Sequence, residues 1–402
     1  MCKLKRVLLV FLAFAAVVIA LAGCGGGSSS HSPRDGTWTV MVYMNADNDL
    51  ERFGIENLNQ MEKVGSTDKV KIVVQVDRIP GYDSSNGDWT GCRRYLITKD
   101  SDTSTIKSQL VQDMGEVDMG DWRTLSSFIQ WAQTNYPADH YCLVIWNHGN
   151  GWRSRATKPI ITRDVSFDDT SGTSIKTADL PYALSAASPK LDIVAFDACY
   201  MQMLEVAYEI RSCADIMVGS EGSPPGDGYV YNTWLSDLVA DPGMTPAELG
   251  TAIAKRYIES YTGIYDVNQS VLDLARIDSV ASAANGFAAV VIPHADSSAA
   301  ELRLARENAQ SYDQYDYKDL RDYAAKVANA LSDQAVTSAY DALTAAISAA
   351  VIYNGHTGSS VVRSYGISIY VPAPYDYQSS YDLLEFSKDY PSWAAWLKAQ
   401  KQ

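Results

Sequence analysis

Cysteine and basic residues are both scarce in this chain of 402 residues. Its six cysteines include no Cys-x-x-Cys pair, so the sequence offers no zinc-binding or thiol redox motif. Lysine and arginine number 33 against 48 aspartates and glutamates, and the net charge of −15 argues against a nucleic-acid partner because it repels phosphate backbones. The sequence also lacks Gly-x-Ser-x-Gly, His-Glu-x-x-His and phosphate-loop motifs, which removes three common classes of enzyme.

The N-terminus has the pattern of an export signal. Three basic residues precede an uninterrupted apolar run over 7–22, which is typical of a signal peptide. The run ends in Leu21-Ala22-Gly23-Cys24, which resembles the lipobox of bacterial lipoproteins, where the cysteine is lipidated and becomes the new N-terminus. We therefore expect a lipoprotein signal peptide over 1–23, a tether over 24–36 and a lipid-anchored location in a bacterial cell envelope, on the periplasmic side or the outer surface. The alternative is an uncleaved anchor helix in which Cys24 is incidental.

Strands alternate with helices along the exported chain. Short apolar, β-branched runs predict strands over 37–44, 70–76, 141–146, 191–196 and 215–219, with amphipathic stretches between them. This order indicates an α/β fold with a mainly parallel central sheet and helices on both faces. The region from about 246 to 350 is rich in alanine and predicts a helical C-terminal elaboration. We expect one domain over 37–402, with a core of about 37–235 and a mostly helical part of about 236–402.

Two of the predicted strands run directly into residues that carry chemistry. One is followed by Asn147-His148-Gly149 and the other by Asp197-Ala198-Cys199. Ligands of open α/β sheets bind at the carboxyl ends of the strands, so His148 and Cys199 are expected at the same edge if the two strands are parallel neighbours. A helix predicted from about Met201 would place Cys199 at a helix N-terminus, whose dipole favours a thiolate. The alternative is a small buried cysteine and a structural histidine in a glycine-rich turn.

These stretches resemble the clostripain family of bacterial cysteine peptidases, in the clan that includes caspases, legumains and gingipains. Cys199 follows His148 by 51 residues, which fits the order and spacing of caspases, although the local signature around the caspase cysteine is absent. The matching segments are WTVMVYMNADNDLE from Trp38, YCLVIWNHGNGW from Tyr141, DIVAFDACYMQMLEVAYEI from Asp192, VGSEGSPPGDGY from Val218 and YGISIYVP from Tyr365. The resemblance spans nearly the whole exported chain and implies a caspase-like fold.

The resemblance also implies roles for particular residues. His148 matches the catalytic histidine of the family, Cys199 its nucleophile, and the N–H groups of Gly149 and Cys199 its oxyanion hole. Family members cleave after Arg or Lys, and the positions implicated in holding that cation are Asp197 and Asp227 here. A carboxylate pair facing one guanidinium gives charge-assisted hydrogen bonds. The alternatives are a helix cap for Asp197 and ordinary turn chemistry for Asp227.

Two further family traits carry over as open expectations. Some members need calcium, and acidic loop residues that offer oxygen ligands here are Asp47, Asp49, Glu51 and Asp164 to Asp169. No EF-hand loop is present, and acidic loop residues are commonly just solvated. Some members cut themselves between the histidine and the cysteine, where this chain has Arg153, Arg155, Lys158 and Arg163. Basic residues in an exposed loop also occur without such a role.

Two functional classes therefore compete. The first is a surface-anchored cysteine endopeptidase that hydrolyses peptide bonds after Arg or Lys through a Cys–His dyad, acting on peptide or protein substrates with basic residues. It needs no cofactor for its chemistry. The second is a catalytically silent lipoprotein binding module with the same fold. The presence of His148, Cys199 and both acidic candidates favours the first, while the natural substrate and the choice between Arg and Lys stay open.

Overall fold

A nine-stranded sheet runs through the part of the chain that the computed structural model describes, residues 36–153 and 164–401. The strands of the described residues are β1 (Trp38–Ala46), β2 (Val70–Arg78), β3 (Gly91–Leu96), β4 (Gln109–Gly115), β5 (His140–Trp146), β6 (Val165–Asp168), β7 (Thr173–Ile175), β8 (Leu191–Asp197), β9 (Ala214–Gly219), β10 (Val267–Asp273), β11 (Tyr317–Asp319), β12 (Val351–Thr357) and β13 (Ser368–Tyr370). The order in the large sheet is β12-β10-β9-β8-β5-β1-β2-β3-β4. Strands β6 with β7, and β11 with β13, form separate two-stranded sheets.

The centre of the large sheet is parallel and its two flanks are antiparallel. Strands β2, β1, β5, β8 and β9 pair in parallel, whereas β3, β4, β10 and β12 each pair antiparallel to the strand beside them. Only β3 and β10 therefore run against the common direction of this sheet. The prediction of an α/β fold with a mainly parallel sheet is confirmed, with antiparallel strands added at both sides.

Helices cover both faces of this sheet. They are α1 (Glu51–Glu62), α2 (Trp122–Asn135), α3 (Leu180–Leu184), α4 (Leu204–Ile210), α5 (Tyr231–Ala240), α6 (Pro246–Tyr261), α7 (Ile277–Val291), α8 (Ala299–Asn308), α9 (Leu320–Leu331), α10 (Gln334–Ala350), α11 (Glu385–Asp389) and α12 (Pro391–Ala399). Short 3-10 turns occupy Thr177–Asp179, Leu274–Arg276, Ile292–His294, Pro374–Asp376 and Ser379–Leu383.

Alternate residues of each central strand point into two different cores. In β1, Met41 and Tyr43 pack with α2, α3 and α4, whereas Val40 and Val42 pack with α1, α5 and α6. All nine residues of β1 are buried. Strands covered on both faces need apolar residues at nearly every position, which is why their sequences are continuous apolar runs.

The C-terminal part of the chain is not purely helical. It adds β10 and β12 to the large sheet, in a region where the sequence predicts mostly helix. Strand β10 carries Asn268, Gln269 and Ser270, all buried, so its sequence lacks the apolar run that marks the central strands. The segment from Leu274 to His294 is long and apolar enough to cross a membrane, but its central helix α7 packs its apolar face against α10 and α12.

Candidate active site at the carboxyl edge of the sheet

The loops that follow four neighbouring strands, β1, β5, β8 and β9, lie at one edge of the sheet. Parallel pairing sets Trp146, the last residue of β5, beside Asp197, the last residue of β8. His148 and Cys199 each lie two residues further on, so they occupy equivalent positions in the loops that follow two adjacent strands. The two residues line the same cleft, which has a volume of about 240 Å³. The sequence prediction that they emerge at one edge agrees with this arrangement.

Cys199 lies in a tight turn and is partly exposed. Its Sγ is 3.1 Å from the Oγ of Ser223, in the loop that follows β9. The next residue, Tyr200, has a φ of +60°, and α4 begins only at Leu204. The expected helix N-terminus at Cys199 is therefore wrong. Burial raises the pKa of the thiol, while hydrogen bonds from Ser223 and from the Gly149 N–H act against that rise.

Gly149 is held against the turn that carries the thiol. A Cβ at this position would lie 2.4 Å from the carbonyl oxygen of Cys199 and 2.9 Å from its backbone nitrogen. Real Cβ atoms do not approach backbone so closely, so only glycine fits here. The close approach brings the backbone N–H of Gly149 to the cysteine sulfur, which is where an oxyanion donor is needed.

The imidazole of His148 is fixed by neighbours that sequence reasoning did not assign to it. Its Nε2 lies 2.7 Å from Oδ1 of Asp49, in the loop after β1, and its ring meets the ring of Phe167 edge to face at 6.2 Å. The side chain of Asn147 donates to the carbonyl oxygens of Asn45 and Phe167 and so anchors the loop from below. The pairing of Asp49 with His148 could be predicted only by knowing that β1 lies next to β5, because that brings the loops after the two strands together.

Asp197 lies at the base of the cleft and is only 5% exposed. Its carboxylate accepts hydrogen bonds from the backbone N–H of Tyr229, at 3.0 and 3.1 Å, and from the hydroxyl of Tyr231 at 3.0 Å. Burial raises its pKa from 3.8 to about 7, although these hydrogen bonds oppose the rise. The carboxyl group therefore changes charge near neutral pH. It is not a helix cap, because α4 begins seven residues later.

Asp227 is exposed, in contrast to Asp197, and its side chain does not line the cleft. Its backbone carbonyl accepts a hydrogen bond from Asn57, and the following Gly228 has a φ of +58°. A Cβ on Gly228 would lie 2.6 Å from Oδ1 of Asp197, so the turn passes directly over the buried carboxylate. The loop that carries Asp227 therefore covers part of the cleft, and Asp227 itself lies at the rim.

Of the candidate self-cleavage and lipidation residues, the structure describes only Arg153. Arg153 is buried, pairs with Asp316 and donates to the hydroxyl of Tyr370 at 3.2 Å. Cys24, Arg155, Lys158 and Arg163, together with the signal peptide and nearly all of the tether, lie outside the described residues.

Two of the acidic residues named as calcium ligands come together with two that sequence reasoning missed. Asp47, Asp77, Glu116 and Asp168, here called the four-carboxylate cluster, have oxygens that all lie within 4.8 Å of one another. Of the remaining candidates, Asp49 pairs with His148 and Glu51 with Arg78. The cluster offers oxygen ligands alone, which suits a hard divalent cation.

Comparisons with known proteins agree with this geometry. The sequence model of the clostripain family matches residues 42–399. Clostripain from Hathewaya histolytica is 28% identical over 304 residues, which cover 65% of this chain and 57% of that protein, so the match spans little more than half of the relative's length. Among solved structures, a secreted C11 cysteine protease from Bacteroides thetaiotaomicron in complex with an irreversible peptide inhibitor matches with a TM-score of 0.66 and 25% identity, over 88% of this chain and 98% of that one.

A second solved structure extends the fold comparison. An inactive zymogen C11 protease from Parabacteroides distasonis matches with a TM-score of 0.66 and 23% identity, over 89% of this chain and 99% of that one. The similarity covers both the central sheet and the C-terminal helices, and the expected caspase-like fold class is confirmed. The family model spans most of the chain, including the loops that carry His148 and Cys199, and the chain belongs to the clostripain family.

Proposed function

We propose that this protein is a cysteine endopeptidase that hydrolyses peptide bonds after Arg or Lys. The observation that carries the proposal is the cleft itself. His148 and Cys199 stand at equivalent positions in the loops that follow two adjacent strands, and the same cleft holds the buried carboxyl group of Asp197. A nucleophile, a base and a site for a cationic side chain thus share one small volume. The peptide inhibitor bound to the related C11 protease is consistent with a peptide substrate.

The proposed reaction needs only groups of this chain and water. His148 takes the proton of the Cys199 thiol, and Sγ attacks the carbonyl carbon of the scissile bond. The N–H groups of Gly149 and Cys199 donate hydrogen bonds to the oxyanion that forms. His148 then gives its proton to the leaving amine as the C–N bond breaks. Water hydrolyses the thioester, which releases the carboxylate product and restores the thiol.

Recognition of a basic residue and activation of the thiol are linked through Asp197. The negative charge of Asp197 is one of the influences that raise the pKa of Cys199, after burial. A guanidinium or ammonium group paired with Asp197 would offset that charge and so favour the thiolate. A substrate with Arg or Lys before the scissile bond therefore both fits the cleft and helps to activate the nucleophile.

The test compares hydrolysis of two fluorogenic peptides, one ending in Arg and one in its neutral analogue citrulline. We expect turnover of the Arg peptide, and its complete loss in Cys199→Ala. Cys213→Ala is the matched control, because it removes another thiol that lies away from the cleft at the start of β9. If folded protein hydrolyses neither peptide before or after limited trypsin treatment, and a thiol-reactive Arg probe does not label Cys199, the silent binding module replaces the peptidase.

We further propose that self-cleavage, if the enzyme is made latent as its zymogen relative is, falls at Arg155, Lys158 or Arg163. Arg153 is the least suitable of the four basic residues, because it is only 8% exposed and is ion-paired with Asp316. Mass spectrometry of purified protein should find new termini after those three positions and none in Cys199→Ala. A terminus after Arg153 would contradict this assignment.

We also propose that lipid on Cys24 anchors the enzyme in the cell envelope. The support is the signal-peptide pattern of the sequence, together with the description of the related protease from Bacteroides thetaiotaomicron as secreted. In detergent phase separation the protein should enter the detergent phase, and Cys24→Ser should stay in the aqueous phase. Recovery of both proteins from the same phase would contradict lipidation at this residue.

A further inference from the structure

A cavity of about 690 Å³, here called the C-terminal cavity, lies among the elements that follow the catalytic loops in the chain. It is lined by residues of α8, by β11 with the loop before it, and by the segment that follows β13. It shares no lining residue with the cleft of His148 and Cys199. Its volume is that of pockets that bind small organic ligands. The proposed peptidase reaction uses no group of this cavity, so its lining indicates a ligand of a different kind.

Two buried cations line the C-terminal cavity without a carboxylate partner. Lys318 is 4% exposed and Arg306 is 8% exposed. Among residues 36–153 and 164–401, neither forms a salt bridge. The guanidinium of Arg306 donates to the neutral amide of Gln400, at 2.8 Å, and the ammonium of Lys318 has no hydrogen-bond acceptor in the described chain. A buried charge without a partner is costly unless an ion of opposite sign binds it.

The acidic residues of the lining do not neutralise these two cations. Asp316 pairs with Arg153, which lies just outside the lining. Glu307 lies 4.0 Å from Arg303, one turn earlier on α8, so it too has a cation of its own. Asp376 is exposed, so water screens its charge. The two buried cations are therefore the unbalanced charges of the cavity.

The ammonium of Lys318 shows the effect of this imbalance. Burial lowers its pKa to about 8, and the positive charge of Arg306 acts in the same direction. The more distant carboxylates of Asp316, Glu307 and Asp322 oppose the lowering without cancelling it. At neutral pH the ammonium still carries its proton, so two positive charges face each other in the inner part of the cavity. An anion that binds between them would relieve both the burial and the repulsion.

Two exposed aromatic side chains line the outer part of the same cavity. Tyr315 is 81% exposed and Tyr375 is 75% exposed, which is unusual for residues of this size. Pro374 precedes Tyr375 in the lining and adds to its apolar surface. Aromatic rings exposed beside a cavity offer a flat face against which the carbon skeleton of a ligand can pack. The cavity therefore combines buried positive charge with an aromatic entrance.

We propose that the C-terminal cavity binds an organic anion. The carboxylate or phosphate group of this ligand pairs with Lys318 and Arg306. Its apolar part packs against Tyr315 and Tyr375, which a bare inorganic ion would leave uncovered. Lysine is a compact point charge and arginine presents a fork of donors, of which Gln400 uses one, so together they suit either oxyanion. The proposal does not depend on the proposed peptidase function, because the cavity and the catalytic cleft share no lining residue.

Calorimetric titration of Cys199→Ala, which lacks the candidate nucleophile and so stays uncut, tests this proposal. The probes are phenylacetate and phenyl phosphate, with phenylacetamide as the neutral counterpart of phenylacetate. We expect at least one of the anions to bind with a Kd below about 1 mM and phenylacetamide to bind about tenfold more weakly. The anion with the lower Kd identifies the oxyanion that the cavity prefers.

Two lysine variants in the same background locate the binding. Lys318→Met keeps the length of the side chain and removes its charge, so it should weaken binding of the anion by about tenfold. Lys255→Met is the matched control, because Lys255 is an exposed lysine of α6 outside the cavity, and it should leave the affinity unchanged. If Lys318→Met does not fold, Arg306→Gln provides the same comparison.

Three results would overturn the proposal. One is the absence of binding by either anion at concentrations up to about 10 mM. Another is equal affinity for phenylacetate and phenylacetamide, which would show that the cations play no part. The third is equal affinity in Lys318→Met and Lys255→Met, which would place the binding elsewhere. Binding by protein that never hydrolyses peptides would leave the anion site standing and count against the peptidase alone.

Discussion

Two buried acidic groups lie at the same edge of the sheet, and they differ in how their oxygens are satisfied. Asp197 stands alone, and two donors from its own chain, the Tyr229 N–H and the Tyr231 hydroxyl, reach both oxygens of its carboxylate. The four-carboxylate cluster has two oxygens, on Asp47 and Asp77, that no group of the described chain reaches. The first group is stable without a ligand and can meet a cation that comes and goes. The second leaves two buried carboxylate oxygens without a donor among the described residues, which is costly for burial.

The two groups therefore differ in their hydrogen bonds and not in charge alone. A carboxylate that must release its partner after every turnover cannot depend on that partner for its own stability. A carboxylate that holds a resident ion can depend on it, since binding and folding are then coupled. The comparison predicts that substitutions at Asp197 act mainly on activity, whereas substitutions in the cluster act mainly on stability.

Within this comparison, the largest expected effect is that of Asp197→Asn on hydrolysis of the Arg peptide. Removing the charge leaves a bound guanidinium without its buried partner, and kcat/KM should fall by about 100-fold or more. Hydrolysis of the citrulline peptide should change much less, because citrulline carries no charge. Steady-state kinetics with both peptides measures the difference.

Asp227→Asn is the matched comparison for that variant. Asp227 belongs to the loop that covers Asp197, but its side chain is exposed and lies outside the cleft lining. Water and salt weaken an exposed charge, so kcat/KM for the Arg peptide should fall by about fivefold or less. An effect as large as that of Asp197→Asn would show that Asp227 moves into the cleft when a peptide binds.

The next largest effect is on the pH dependence of specificity. Because the pKa of Asp197 is raised to about 7, the carboxyl group loses its charge as the pH falls below neutrality. The ratio of kcat/KM for the Arg peptide over the citrulline peptide should therefore fall by up to about tenfold per pH unit below 7 and level off above it. Taking the ratio cancels ionisations that affect both peptides equally. Asp197→Asn should show no such fall, and a flat ratio in the unmodified enzyme would contradict the role of Asp197.

The raised pKa of Asp197 also makes stability depend on pH, in the opposite direction to specificity. Between its ordinary pKa of 3.8 and about 7, the folded chain holds a proton on Asp197 that the unfolded chain has released. The contribution of this group to stability is full below 3.8 and is lost as the pH rises through 7. Enzyme assayed at pH 8 therefore recognises arginine best while Asp197 contributes least to its fold.

The sequence predicted the central strands well because their burial leaves a local signal. Runs of apolar residues over 141–146 and 191–196 correspond to β5 and β8 within one residue at each end. Strand β4 was missed because it is mostly exposed and has no continuous apolar run, although it pairs with β3 and forms one edge of the large sheet. Strand β10 was missed because its buried polar residues bond to partners far along the chain, such as Gln202 with Ser270.

The same distinction explains which parts of the candidate site could be anticipated. His148 and Cys199 follow predicted strands, so their common edge follows once these two strands are taken as parallel neighbours, as β5 and β8 are. The pairing of His148 with Asp49, and the cluster of Asp77 with Glu116, depend on which strands are neighbours. The order of strands in the sheet is set by long-range packing, so no local sequence pattern predicts it. The turn at Cys199 was misjudged because the positive φ of Tyr200 delays the helix by one turn.

An effect of similar size is the sharpest test of the comparison, because it concerns a residue almost adjacent to the cluster. Asp49 is 63% exposed on its side chain and pairs with His148, whereas Asp47 is buried in the cluster. Asp49→Asn should lower kcat by about fivefold with little change in KM or in Tm, since it removes only an exposed partner that orients the imidazole. If Asp49→Asn lowered the Tm together with kcat, Asp49 would support the fold as the buried cluster does, and the distinction between the two acidic groups would fail.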